Sequence, residues 1–110
     1  MSTQDLTVPT SLAARVRAGV AYLDRNKPGW HELVIPEALS MASSCNCVLG
    51  QVYGNFFDVQ EVLFGDDFVV QTARLGFDAD AEGTGPSEVQ FAALKRLWSF
   101  VIRQRLAVPQ

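Results

Sequence analysis

Two cysteines, one histidine and a short acidic run are the groups whose types and spacing bear on chemistry. Cys45 and Cys47 form a C-x-C pair. On a helix, residues two apart point about 200° from each other, so the pair cannot close a disulfide without unwinding that turn. A thiol in a first helical turn has its thiolate favoured by the helix dipole, which makes Cys47 a conceivable nucleophile or redox group. The lone His31 would then be its base. The competing reading is packing, because free cysteine is among the most buried residue types and behaves as a small hydrophobe. That reading is favoured for both thiols. Zinc held by Cys45, Cys47 and His31 lacks a fourth ligand, so no metal is expected. Asp78, Asp80 and Glu82 alternate as calcium ligands do, but the glycine and distal glutamate of a calcium loop are missing. A solvated loop accounts for them better, and no cofactor loop occurs elsewhere.

The stretch that positions the thiols is expected to be a helix over residues 44–53. Ser43 or Ser44 is a suitable N-cap, since a hydroxyl can accept from an orphan amide of the first turn. Cys45, Val48, Leu49 and Val52 then fall on one face, and Gly54 closes the helix. Cys47, Gly50 and Gln51 share the other face, which makes Gln51 a candidate beside the thiols. Glycine inside a helix costs roughly 1 kcal/mol relative to alanine. The expected compensation at Gly50 is close approach of another backbone.

Around this stretch the patterns are helical. Residues 1–10 read as a flexible polar arm, and 11–107 as a single helical domain. Thr10 or Ser11 caps a helix to about Arg25, with Leu12, Val16, Val20 and Leu23 inward and Arg15 on the solvent side. Asn26-Lys27-Pro28-Gly29 ends it. Trp30 anchors an irregular segment, and Pro36 can open a short turn. Asp58 and Glu61 have capping-box spacing for a helix over 59–64 ended by Gly65. Asp66 or Asp67 caps the next helix, with Phe68, Val69, Thr72 and Leu75 inward and Gly76 at its end. Residues 77–86 read as an acidic loop. Ser87-Glu88-Val89-Gln90 is a second capping box and opens the longest helix, to about Leu106, with Leu94, Leu97, Trp98, Val101 and Ile102 buried. The fold class is therefore all-α: a compact single domain of about five helices, with the 44–53 helix central and a long C-terminal helix.

Composition sets the outer bounds. A chain of 110 residues with 48% hydrophobic and 19% charged residues is one domain able to bury a core. The net charge of −3 argues against nonspecific nucleic-acid binding by the whole surface. No apolar run is long enough to span a membrane, and residues 1–9 lack the layout of a secretory signal. With two cysteines too close to frame a fold, a cytoplasmic setting is expected. Residues 58–82 carry seven acids against Arg74 alone, whereas the last helix is basic through Lys95, Arg96, Arg103 and Arg105.

Pro28-Gly29-Trp30, the block Cys45-x-Cys47-Val48-Leu49-Gly50-Gln51-x-Tyr53-Gly54, then Leu75-Gly76-Phe77-Asp78 and Trp98 together resemble small proteins of unknown function from actinobacteria and their phages. The resemblance covers roughly residues 12–105 and is most distinctive from Cys45 to Gly54. It implies a bacterial or phage-infected cytoplasm and brings no catalytic residues.

Three function classes follow in order. First is a noncatalytic protein-interaction module, such as a phage accessory factor that binds a host protein, with Phe56, Phe57 and Phe64 as patch candidates for which a core role is the favoured alternative. Second is a nucleic-acid-binding helical domain: Gln71-Thr72-Ala73-Arg74-Leu75-Gly76 resembles the turn of a helix-turn-helix, but ten residues of acidic loop then intervene where that motif has three or four. Third is a thiol protein using Cys47 with His31. No oligomeric state follows from the sequence.

Overall fold

The computed structural model describes residues 11–79 and 86–107. Its α-helices are α1 (Leu12–Asn26), α2 (Val48–Tyr53), α3 (Phe56–Phe64), α4 (Phe68–Arg74) and α5 (Ser87–Ala107). Short 3-10 turns occupy Trp30–Leu33, Pro36–Ala38 and Gly65–Asp67. Among the described residues there is no strand, and the helices pack into one all-α globule.

The frame is α1 laid along α5. Ser11 caps α1, its Oγ accepting from the Ala14 amide at 3.2 Å, and Val16, Gly19 and Leu23 form the buried seam. Gln90, Leu94, Trp98 and Ile102 recur every fourth residue and form the matching seam of α5. Arg15 departs from the expected solvent position. It is buried, and its Nη1 donates to Gln90 Oε1 at 3.4 Å. A buried guanidinium needs hydrogen-bond acceptors, and the acceptor here lies 75 residues away, beyond the reach of any local pattern.

Trp98 sits at the centre. Its indole N–H donates to the Gly76 carbonyl at 2.7 Å. Its ring stacks on Phe77 at 5.4 Å and meets Trp30 edge-on at 5.7 Å, contacts of the kind worth about 1 kcal/mol each beyond area burial. Phe77, expected to begin a solvated loop, is therefore a core residue. The turn closing α4 brings it inward: the Thr72 carbonyl accepts from the amides of both Phe77 (2.8 Å) and Asp78 (3.2 Å). Asp80 and Glu82 of the expected acidic loop, and the expected arm over 1–10, lie outside the described residues.

A latch closes the far end of the frame. Trp30 Nε1 donates to Asp24 Oδ1 at 2.9 Å, and Arg105 grips the same carboxylate through two bonds of 2.5 and 2.8 Å. The Arg105 guanidinium also lies 5.8 Å from the Trp30 ring centroid. Arg105 is the main cause holding the Asp24 carboxyl below its ordinary value.

Two helix starts differ from expectation, and in each a nearer cap wins. The central helix begins at Val48, not at residue 44, with Cys47 as its N-cap. α3 begins at Phe56 because Asn55 caps it, Oδ1 accepting from the Phe57 amide at 2.9 Å; Asp58 falls inside the first turn. α4 follows directly on the Gly65–Asp67 turn, and Asp67 makes no side-chain cap bond. That entry rotates the helix so that Gln71, Thr72 and Ala73 are buried while Val69 faces outward.

Candidate functional site

Residues 40–54 form a hydrogen-bonded knot in place of one long helix. Ser43 Oγ accepts from the amides of Cys45 (3.3 Å) and Asn46 (3.1 Å), and the Ser43 carbonyl accepts from the Cys47 amide at 3.1 Å. Serine side chains compete with helix formation in this way. The chain thus turns once before α2 begins, and Cys47 Sγ accepts from the Gly50 amide at 3.3 Å, as a capping hydroxyl would. The backbone that crowds Gly50 belongs to the knot itself. A Cβ there would overlap the Ser44 carbonyl oxygen and lie within 2.7 Å of the Cys45 backbone.

The four candidate residues fare differently. Gln51 is a staple: its Oε1 accepts from the Ile35 amide at 2.7 Å, and its Nε2 donates to the carbonyls of Asn46 (3.0 Å) and Ile35 (3.4 Å). It ties the segment between the two early 3-10 turns to the knot. Cys45, expected on the buried stripe, is exposed, with Asn55 Nδ2 3.8 Å from its sulfur. Cys47 is buried, and both thiols are free. His31 is also buried, edge-on to Trp30 at 6.0 Å, with no hydrogen-bond partner for either ring nitrogen among the described residues.

Cys47 opens onto a cleft of about 140 Å³ shared with Met41, Ser44, Phe56, Phe77 and Asp78. His31 does not line it, so the base expected for Cys47 is not in the cleft. Burial pushes the Cys47 thiol above its ordinary value, more than the capping amides lower it, and the Asp78 carboxylate adds to the rise. At neutral pH the sulfur is therefore a neutral acceptor, opposite to the state a nucleophile requires. Burial raises the Asp78 carboxyl as well, although its Oδ1 accepts from the Ala79 amide at 2.8 Å. Because the folded state favours the protonated acid, Asp78 costs nothing below its unfolded value of about 3.9. The cost grows as pH rises through the higher folded-state value. Asp78→Asn keeps the oxygen acceptor and removes the charge. Its thermal midpoint should exceed wild type by a few degrees at pH 7 and match it at pH 3, read by circular dichroism.

Among the described residues, no three His, Cys, Asp or Glu side chains converge on a metal position. Two arginines of the basic C-terminal helix are held in ion pairs within the chain: Arg105 on Asp24, and Arg103 on Glu37 at 3.0 Å. Gln71 and Thr72 of the segment resembling a helix-turn-helix are buried. No helix among the described residues is long and apolar enough to cross a membrane.

The surface that the periodicities did not single out is the α3–α4 hairpin. Phe57 is 68% exposed, Val62 82% and Val69 66%. Val62 follows the buried Phe56 by six positions, about 240° around a helix, a placement legible once the α3 cap is assigned to Asn55. Asp58, Glu61, Asp66 and Asp67 lie among these side chains in sequence, with no basic residue between them. A scan against protein-family models and searches of curated proteins and of solved structures find no match to this chain.

Proposed function

We propose that the protein is a noncatalytic interaction module whose α3–α4 hairpin docks a basic, apolar surface on a protein partner. The observation that carries this reading is the outward set of Phe57, Val62 and Val69 interspersed with four carboxylates. Large apolar side chains held in water cost free energy that a partner can recover, at about 25 cal/mol per Å² covered. Acidic residues around such side chains favour Lys- and Arg-bearing partners and speed encounter. Of the earlier candidates, Phe57 belongs to this surface, whereas Phe56 is buried. The resemblance to actinobacterial and phage proteins would imply a bacterial or phage-infected cytoplasm, and the partner we propose there is a host protein.

Retention from host lysate on immobilised wild type, Val62→Asp/Val69→Asp and Phe100→Asp tests the proposal. Phe100, on α5, is equally outward at 63% exposure and serves as the control. The expected result is a protein held by wild type and Phe100→Asp, released by salt, and missing from the double variant. Retention that survives the double variant, or no specific retention by wild type, contradicts the proposal.

A further inference from the structure

A second cleft, of about 320 Å³, lies between the C-terminal half of α1 and the α3–α4 hairpin. Tyr22 and Arg25 line it from α1, Phe64 from α3, and Gln71 and Arg74 from α4. We propose that it binds a small molecule with a carboxylate or phosphoryl head group and an aromatic body, the head on Arg74 and Arg25 and the body against Tyr22 and Phe64.

Gln71 is a buried amide on a short helix. Its Oε1 accepts twice from Arg74, from Nε at 3.1 Å and from Nη2 at 2.8 Å. A guanidinium carries five N–H donors in a rigid fork. Fixing the Nε edge on a neutral acceptor orients the group but leaves its charge uncompensated. The opposite edge, Nη1 with the second Nη2 hydrogen, has the spacing that engages two oxygens of a carboxylate or phosphoryl group. Among the described residues the ion pairs are those of Arg103 and Arg105, and neither Arg74 nor Arg25 has a carboxylate within 4.0 Å.

Arg25 supplies a second positive charge. Its field acts on the Tyr22 hydroxyl, lowering a phenol that burial and the neighbouring Tyr53 raise. Tyr22 thus stays a neutral hydroxyl able to donate. The Tyr22 ring packs against Phe64 at 5.3 Å between centroids, tilted by 43°, which provides apolar ring surface beside the two guanidiniums. Asp67 also borders the cleft and disfavours a ligand with anionic charge at both ends. The volume lies at the small end of the range for small-molecule sites, about 300–1,000 Å³. In a chain of net charge −3, two arginines without acidic partners form a local reversal of sign suited to an anion.

Amide and side-chain NMR shifts of the full chain, titrated with phenyl phosphate, phenylacetate, inorganic phosphate and benzyl alcohol, test the assignment. One or both aromatic anions should saturate with shifts centred on Tyr22 and the Gln71 side-chain amide, and the tighter one identifies the head group. Inorganic phosphate should bind at least about tenfold more weakly, and benzyl alcohol should not saturate. Arg25→Gln, at an exposed position, should weaken binding about tenfold or more, the scale of a lost charge-assisted bond. Gln71→Glu is the sharper variant. It conserves shape and gives Arg74 an internal counter-charge, so it should remove binding while leaving stability unchanged or raised. Val62→Asp/Val69→Asp should leave these titrations unchanged, which separates this site from the docking surface. Equal binding of benzyl alcohol, equal binding of inorganic phosphate, or full affinity in Arg25→Gln and Gln71→Glu would overturn the proposal.

Discussion

Gly19→Ala is expected to lower stability by about 3 kcal/mol or more, although alanine gains about 1 kcal/mol over glycine in helix propensity. A Cβ at position 19 would overlap the Leu75 carbonyl oxygen and lie 2.9 Å from the Trp98 ring. Overpacking against mobile side chains costs typically about 1–3 kcal/mol. Here the first obstacle is backbone, and it cannot rotate aside. Relief requires α1 to part from the 75–77 turn, which carries both the Gly76 carbonyl bound by Trp98 and the Phe77 ring stacked on it. Urea denaturation should show a lowered midpoint with an unchanged slope. A midpoint equal to or above that of wild type would show that α1 and this turn are not in close contact.

Trp98→Phe should cost a comparable amount, about 3 kcal/mol, by a different route. It leaves the buried Gly76 carbonyl without the indole donor it now has at 2.7 Å, a loss of about 1–3 kcal/mol. It also opens space beside Trp30 and Phe77, for which cavity formation adds its own cost. Because the indole ring is part of what blocks a Cβ at Gly19, the two changes should not add. Phenylalanine at 98 vacates some of the crowded volume, so Gly19→Ala should be less harmful in that background, by about 1 kcal/mol in a double-mutant cycle. Strict additivity would contradict the packing described for this crossing.

The long helices were legible from their apolar spacing, and for α1 also from its cap, Ser11. The capping box expected at Ser87 does not form: Ser87 lies inside α5, the Pro86 carbonyl accepts from the Val89 and Gln90 amides, and Gln90 turns inward to Arg15. The start of α2 was misread for a specific reason. The stripe Val48, Leu49, Val52 extends backward to Cys45, and serine is the usual cap, so residue 44 was the natural first turn. What decides the matter is Gly50. Its close backbone neighbours are Ser44 and Cys45, which can reach it only by leaving the helix. The sequence showed that Gly50 needed such a neighbour, but not that the neighbour lay six residues upstream. Arg15 and Phe77 were misplaced because their partners, Gln90 and Trp98, are distant in the chain. Gln51 was a site candidate by proximity to the thiols, and its three bonds to Ile35 and Asn46 make it architecture. The α3–α4 surface and the Arg25–Arg74 cleft both depend on how α4 is rotated by the turn before it, which propensity does not specify.

Cys47 is a neutral, buried capping sulfur, and residues 40–54 around it build the fold. Alkylation of the native protein at pH 7.5, followed by mass spectrometry that resolves the two thiols, tests this directly. Cys45 should be modified within minutes, while Cys47 should react at least about a hundredfold more slowly until denaturant is added, as burial and a raised thiol imply. Modification of native Cys47 as fast as Cys45, or faster, would contradict the account and mark that sulfur as a reactive group.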